Sequence, residues 1–215
     1  MPTIARPLST NQQPGSGGGG AFFDVPPGDD GRSGPGGSFP DAQRRYYTGM
    51  MVGLGGILMV FAGFTSAYLV RRGLGADWQS VPLPFLVWVN TLILLISSAC
   101  LEHARRRVHD IPALRRWWVG ATALGLAFLV GQGIVWRQLW DAGVFLSTNP
   151  SSSFFYVLTA THGIHLLGGV IALLVLGWKL WKGLMSRMHV NVMAIYWHFM
   201  DGLWVFLLLL FVVGR

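Results

Sequence analysis

Five apolar runs, each close to the length a bilayer demands, follow one another from residue 47 to residue 213. A helix that crosses a hydrocarbon core of ~30 Å needs about 20 mostly apolar residues. The runs cover approximately residues 47–70, 84–101, 117–136, 154–178 and 192–213. Charges are nearly absent inside them. Arg71 and Arg72 stop the first, and "EHARRR" stops the second. A buried helix of a soluble protein can imitate one such run, but not five in succession. Within lipid each helix must satisfy its own backbone N–H and C=O groups. The expected fold is therefore an all-α membrane bundle of five spans. Composition agrees: 52% of the 215 residues are hydrophobic and 12% are charged, where a soluble domain carries about a quarter charged residues.

The remainder of the chain is different in kind. The first forty residues hold ten Gly and seven of the 11 Pro. Such a stretch buries too little apolar surface to offset the entropy of ordering it. Residues 1–43 are expected to form a disordered Gly/Pro-rich tail, and residues 44–215 the five-helix domain. Nothing in the tail resembles the apolar core of a secretory signal peptide. Cys100 stands alone, which excludes an internal disulfide and any metal site in this chain that needs two thiolates.

Lys and Arg counts give an orientation. One side holds Arg44, Arg45, Arg105, Arg106, Arg107, Arg115, Arg116, Lys179, Lys182 and Arg187, ten in all. The other holds Arg71, Arg72, Arg137 and Arg215. The N-terminus is expected in the cytoplasm and the C-terminus outside. The net charge of +7 then belongs to a membrane boundary, not to a nucleic-acid surface. Trp78, Trp88, Trp117, Trp118, Trp140, Trp178 and Trp181 are expected at the interfaces as an aromatic belt.

Small residues let membrane helices approach closely. Gly49 and Gly53, Gly63 and Ala67, and Ala62 and Ser66 are spaced for this in the first span. Gly120, Gly125, Gly131 and Gly133 lie in the third, and Gly163, Gly168 and Gly169 in the fourth. Gln132 and Trp136, four apart, share a helix face and are expected to tie the third span to a neighbour.

Ionisable groups within spans are costly and default to functional hypotheses. "THGIHLLGG" supplies His162 and His165, and "YWHFMDGLW" supplies His198 and Asp201. His165 and His198 fall at similar depth, so a haem bridging them is geometrically open. The flanking residues, however, do not open a haem-sized gap, and no ligand set for a metal is evident. The expectation is a polar cluster joining the fourth and fifth helices, in which His198 and one of the fourth-helix histidines satisfy Asp201. Transport is a further reading, because polar groups at mid-depth can form a path. Neither broken helices nor inverted halves are visible in support.

"FAGFTSAYLVRRG", "GQGIVWRQLW", "SSSFFYVLTATHGIHLLGGV" and "IYWHFMDGLWVFLLLL" resemble subunit III of the haem–copper terminal oxidases, in particular the five-helix bacterial cytochrome c oxidase form. The resemblance covers residues 46–215. It implies an accessory subunit of an aerobic terminal oxidase in a bacterial cell membrane, multi-pass and without redox centre or catalytic residue. The implied partners are catalytic subunit I and copper-bearing subunit II, which carry the haems and copper, together with membrane lipids and further respiratory-chain proteins. The implied reaction of the complex is oxidation of cytochrome c, reduction of dioxygen and proton pumping. A quinol oxidase or a relative associated with nitric-oxide reductase would use the same bundle with another donor or acceptor. By match to the motifs, His162, His165, Trp197, His198 and Asp201 correspond to family positions in helix ties or a phospholipid cleft. Glu102, His103, Arg105, Arg106 and Arg107 are expected at the cytoplasmic surface beside proton entry. The chain has Ile57 and Asn191 where the family usually has glutamates, so roles that rest on those carboxylates are not carried over.

Overall fold

The computed structural model describes residues 39–74, 78, 79 and 81–214. They form five helices: α1 Phe39–Leu74, α2 Phe85–Arg106, α3 Ile111–Asp141, α4 Pro150–Trp181 and α5 Arg187–Val213. All five are long and apolar enough to cross a membrane. Residues 1–38 of the expected tail lie outside the described residues, and α1 begins at Phe39, before the first apolar run.

Each helix outruns its apolar run by a turn or more, because hydropathy marks the lipid-facing part while caps mark the helix ends. Asp110 caps α3 by accepting from the Ala113 amide at 3.2 Å, with a proline in the first turn. At α4, Asn149 accepts from the Ser152 amide at 2.9 Å, while the Ser152 hydroxyl accepts from the Asn149 amide at 3.3 Å. That reciprocal arrangement satisfies two of the amides a helix start leaves unpaired. Ahead of α5 the Ser186 amide donates to His189 Nδ1 at 3.3 Å.

Helices α2, α3, α4 and α5 close a four-membered ring in which each packs on the next, and α1 lies against α4 and α5. Between α1 and α2, Trp78 and Gln79 lie against the start of α4 and the end of α5. There Trp78 Nε1 donates to the Gly214 carbonyl at 3.3 Å, and the Ser151 hydroxyl meets the Gln79 carbonyl. Tyr68 anchors the same end, its ring edge-on to Trp78, Phe154 and Phe211.

Only some of the glycines are used for close packing within the chain. A methyl group on Gly125 would lie 2.8 Å from the Trp197 ring, and one on Gly169 2.7 Å from the Tyr196 ring. Gly131 faces Asn90 in the same manner, whereas Gly49, Gly53, Gly56 and Gly63 of α1 have nothing within 4 Å. Gly125→Ala and Gly169→Ala are expected to destabilise the purified subunit by about 1–3 kcal/mol, the usual cost of overpacking. Gly53→Ala should leave it unchanged or slightly firmer, since Ala is the better helix former. Thermal unfolding in detergent measures all three, and equal effects would contradict this assignment of faces. One belt expectation also changes: Trp118 is buried, because its indole N–H donates to the Leu173 carbonyl at 3.0 Å across α3 and α4. Trp88, Trp140, Trp178 and Trp181 are exposed.

Candidate functional site

The buried polar groups fall into two sets, and α2 supplies much of one of them. Asn90, Thr91, Ser97 and Ser98 form a stripe along the buried face of α2. Asn90 Nδ2 donates to the Phe128 carbonyl at 3.1 Å and lies 3.5 Å from Gln132 Oε1. The Ser97 hydroxyl donates to the Ala121 carbonyl at 2.8 Å, and Trp204 Nε1 donates to Thr91 Oγ1 at 3.0 Å. Trp136 Nε1 donates to Thr159 Oγ1 at 3.1 Å, joining α3 to α4. Gln132 and Trp136 thus share a face but reach different helices.

Asp201 and His198 turn toward α2. Ser98 Oγ is 2.6 Å from His198 Nδ1, and His198 Nε2 is 3.5 Å from Glu102 Oε2. Asp201 lies near both Ser98 and His198 on this seam. A hydroxyl has one proton to donate. In its contact with His198 Nδ1 the Ser98 hydroxyl donates or accepts according to the imidazole tautomer. The result is a relay of four polar side chains, Glu102, His198, Ser98 and Asp201, that runs from the basic end of α2 inward along the α2–α5 seam. Asp201 Oδ1 at its inner end is buried and has no partner among the described residues. At the outer end Glu102 takes ion pairs from Arg105 at 2.8 Å and from Arg106 at 3.0 Å. His103 Nδ1 bonds the Ala99 carbonyl at 2.9 Å, and its ring lies 5.1 Å from that of Trp117. Arg107 closes the helix as its C-cap.

His162 and His165 do not join this relay. His162 is fully buried, and neither ring nitrogen has a partner among the described residues. It sits in a box of rings from three other helices: Phe61 of α1 at 6.5 Å, Phe128 of α3 at 6.1 Å and Trp204 of α5 at 5.1 Å. His165 bonds the Thr161 carbonyl of its own helix through Nδ1 at 2.7 Å, with Phe61 6.0 Å away. The tie from α5 to this part of α4 is Tyr196, whose hydroxyl donates to the His165 backbone carbonyl at 2.7 Å. Trp197 is fully buried, and its indole N–H has no partner among the described residues. Asp201 therefore has Ser98 and His198 about it, not His162 or His165.

Ser98, Asn90 and Tyr196 escaped an inventory confined to charged and ionisable span residues. The signal was present as the spacing of Asn90, Thr91, Ser97 and Ser98, at intervals of one, six and one, which places them along one helix face.

Two clefts flank α5. One, of about 640 Å³, lies between α1 and α5 and is bordered by His198, Phe61, Leu58, Phe206 and Thr65, whose buried hydroxyl oxygen has no partner among the described residues. The other, of about 350 Å³, lies at the basic end between Tyr46, Met50, Gly169, Leu176, His189 and Tyr196. Among the described residues no three His, Cys, Asp or Glu side chains gather as a metal site would require. His165 and His198 engage different helices.

Comparison with known proteins gives a consistent result. The family model described as cytochrome c oxidase subunit III matches residues 48–214. Cytochrome c oxidase subunit 3 of Thermostichus vulcanus is 32% identical over 178 residues, covering 78% of this chain and 87% of that one. The corresponding protein of Synechocystis is 35% identical over 161 residues, covering 70% and 68%. A probable cytochrome c oxidase subunit 3 of Mycobacterium bovis is 33% identical over 168 residues, covering 73% and 82%.

Proposed function

Because the chain belongs to the cytochrome c oxidase subunit III family, we propose that it acts as the accessory third subunit of a proton-translocating oxidase. In this reading it carries no catalytic residue and no redox centre, and it binds a haem-bearing subunit I and a copper-bearing subunit II. It steadies the catalytic subunit, holds phospholipid in the cleft between α1 and α5, and supports proton uptake at its basic end. That end faces the cytoplasm, in line with the excess of Lys and Arg there. The observation that carries the reading is the family match across the whole five-helix domain. The two ends of the Glu102–Asp201 relay add to it. One end opens among Arg105 and Arg106, and the other stops at Asp201, whose Oδ1 has no onward partner among the described residues. That is the form of a structural tie, and a transport path would need to continue.

Removing the subunit from the complex tests this directly. The haem spectrum and the initial rate of cytochrome c oxidation are expected to persist, while proton uptake slows and activity decays faster during turnover. Loss of the haem signal itself would place a redox ligand on this chain and overturn the reading.

A narrower expectation concerns the last turn of α2 and its C-cap. Surface ion pairs such as Glu102 with Arg105 and Arg106 contribute at most about 1 kcal/mol, so folding does not depend on them. Reversing the charge of Arg105, Arg106 and Arg107 together is expected to slow proton uptake or loosen the complex, with the bundle still folded. Unchanged turnover and assembly would leave these residues as topological anchors only.

A further inference from the structure

A third cleft, of about 440 Å³, runs between α3 and α4 at the basic end of the bundle, away from α1 and α5. Its walls are apolar, with Val119, Leu126, Leu173 and Leu174 among them. Its mouth is framed by two exposed indoles, Trp178 and Trp181, and each has a cation over its face. Lys182 Nζ is 3.7 Å from the Trp178 ring centre, and the Arg115 guanidinium is 5.5 Å from that of Trp181. Arg115 Nη2 donates to the carbonyls of Leu180 and Trp181 at 3.4 Å each, which caps the last turn of α4 and fixes the guanidinium there. Its Nε is buried and has no partner among the described residues.

Two acidic groups among the described residues of this end, Asp110 and Glu102, are engaged elsewhere. Asp110 accepts from the Ala113 amide at the start of α3, and Glu102 is held by Arg105 and Arg106. Among the described residues, these two cations therefore stand without a carboxylate of their own at the depth where the apolar run of α4 ends.

We propose that this groove seats one anionic phospholipid, with an acyl chain along α3 and α4 and the phosphate between Arg115 and Lys182. An apolar channel open to the bilayer along its side, continuous with an unneutralised pair of cations at headgroup level, matches the two parts of that molecule in order. Indoles belong at the same boundary, and their faces hold the cations in place. The site is separate from the α1–α5 cleft and does not depend on which oxidase subunits the chain joins.

The test uses the full chain, purified in detergent, stripped of lipid and titrated with phosphatidylglycerol or phosphatidylcholine under native mass spectrometry. One phosphatidylglycerol is expected to bind about tenfold more tightly than phosphatidylcholine, since each cation near the headgroup favours the anionic lipid. Replacing Arg115 and Lys182 together by Gln should abolish the preference while weak binding of both lipids persists. Leu174→Trp, which fills the groove and leaves the charges alone, should abolish binding of both lipids at this site. Equal affinities in the parent chain, or a preference that survives the double substitution, would overturn the proposal. So would a photoreactive side chain at Val119 that crosslinks to a polypeptide and not to lipid in the intact membrane.

Discussion

Trp197→Ala is expected to destabilise the subunit more than any other single truncation on α5. The indole is fully buried and rests on Gly125 of α3 and Gly169 of α4, so one side chain fills the space at which three helices meet. Glycines cannot extend into the void that its removal leaves. Large-to-small changes of this kind cost about 3–5 kcal/mol in soluble cores. Here the low end of that range applies, because lipid tails are as apolar as the core and the loss is one of packing. Since the indole N–H has no partner among the described residues, Trp197→Phe should recover most of the stability. Thermal unfolding of the purified subunit measures both variants. If Phe costs as much as Ala, the N–H and not the ring is the tie.

Asp201→Ala is expected to lower the share of the subunit retained in the complex, and its bound phospholipid, while leaving the oxidase haem spectrum unchanged. Asp201 ends the relay on the α2–α5 seam, and its removal takes a polar neighbour from Ser98 and His198 at a buried helix face. Leaving a buried polar group unsatisfied costs about 1–3 kcal/mol, more than an average interhelical hydrogen bond contributes. Asp201→Asn keeps an acceptor oxygen in place and should be nearly neutral. Ser98→Ala combined with Asp201→Ala should cost less than the sum of the single changes, because the two groups share one interaction. Retention and lipid content equal to the parent in Asp201→Ala would remove Asp201 from the set of ties.

The five helices were legible in the sequence because lipid imposes one rule along the whole chain. Span length and the loss of charge suffice to apply it. Helix ends were less legible, since Asp110, Asn149 and Ser186 begin their helices outside the apolar runs. Which faces meet was hardly legible at all. Gly53 and Gly125 look alike in sequence, yet one has open space beside it and the other a tryptophan ring. The polar residues show the same limit. His198 and Asp201, three apart, do share a face. Their neighbour was expected on α4, but it is Ser98 of α2, a residue without charge that a search for ionisable groups passes over. His162 was expected in that cluster and instead stands among Phe61, Phe128 and Trp204. Which helix meets α5 on each side depends on the ring formed by α2 to α5 and on the α1–α2 connection, and no local pattern encodes either.

In the proposed function this chain is a bundle that binds a redox enzyme without being one. Affinity purification of the tagged chain from its own membranes in mild detergent tests that claim most directly, with the co-purifying proteins identified and the haem content measured. The predicted result is a stable complex with a haem-bearing membrane subunit and a copper-bearing subunit. All of its haem should stay with those partners when the tagged chain is dissociated. Recovery of the chain without a haem protein would contradict the account, as would haem that follows the dissociated chain and is lost on replacing His198 or His165.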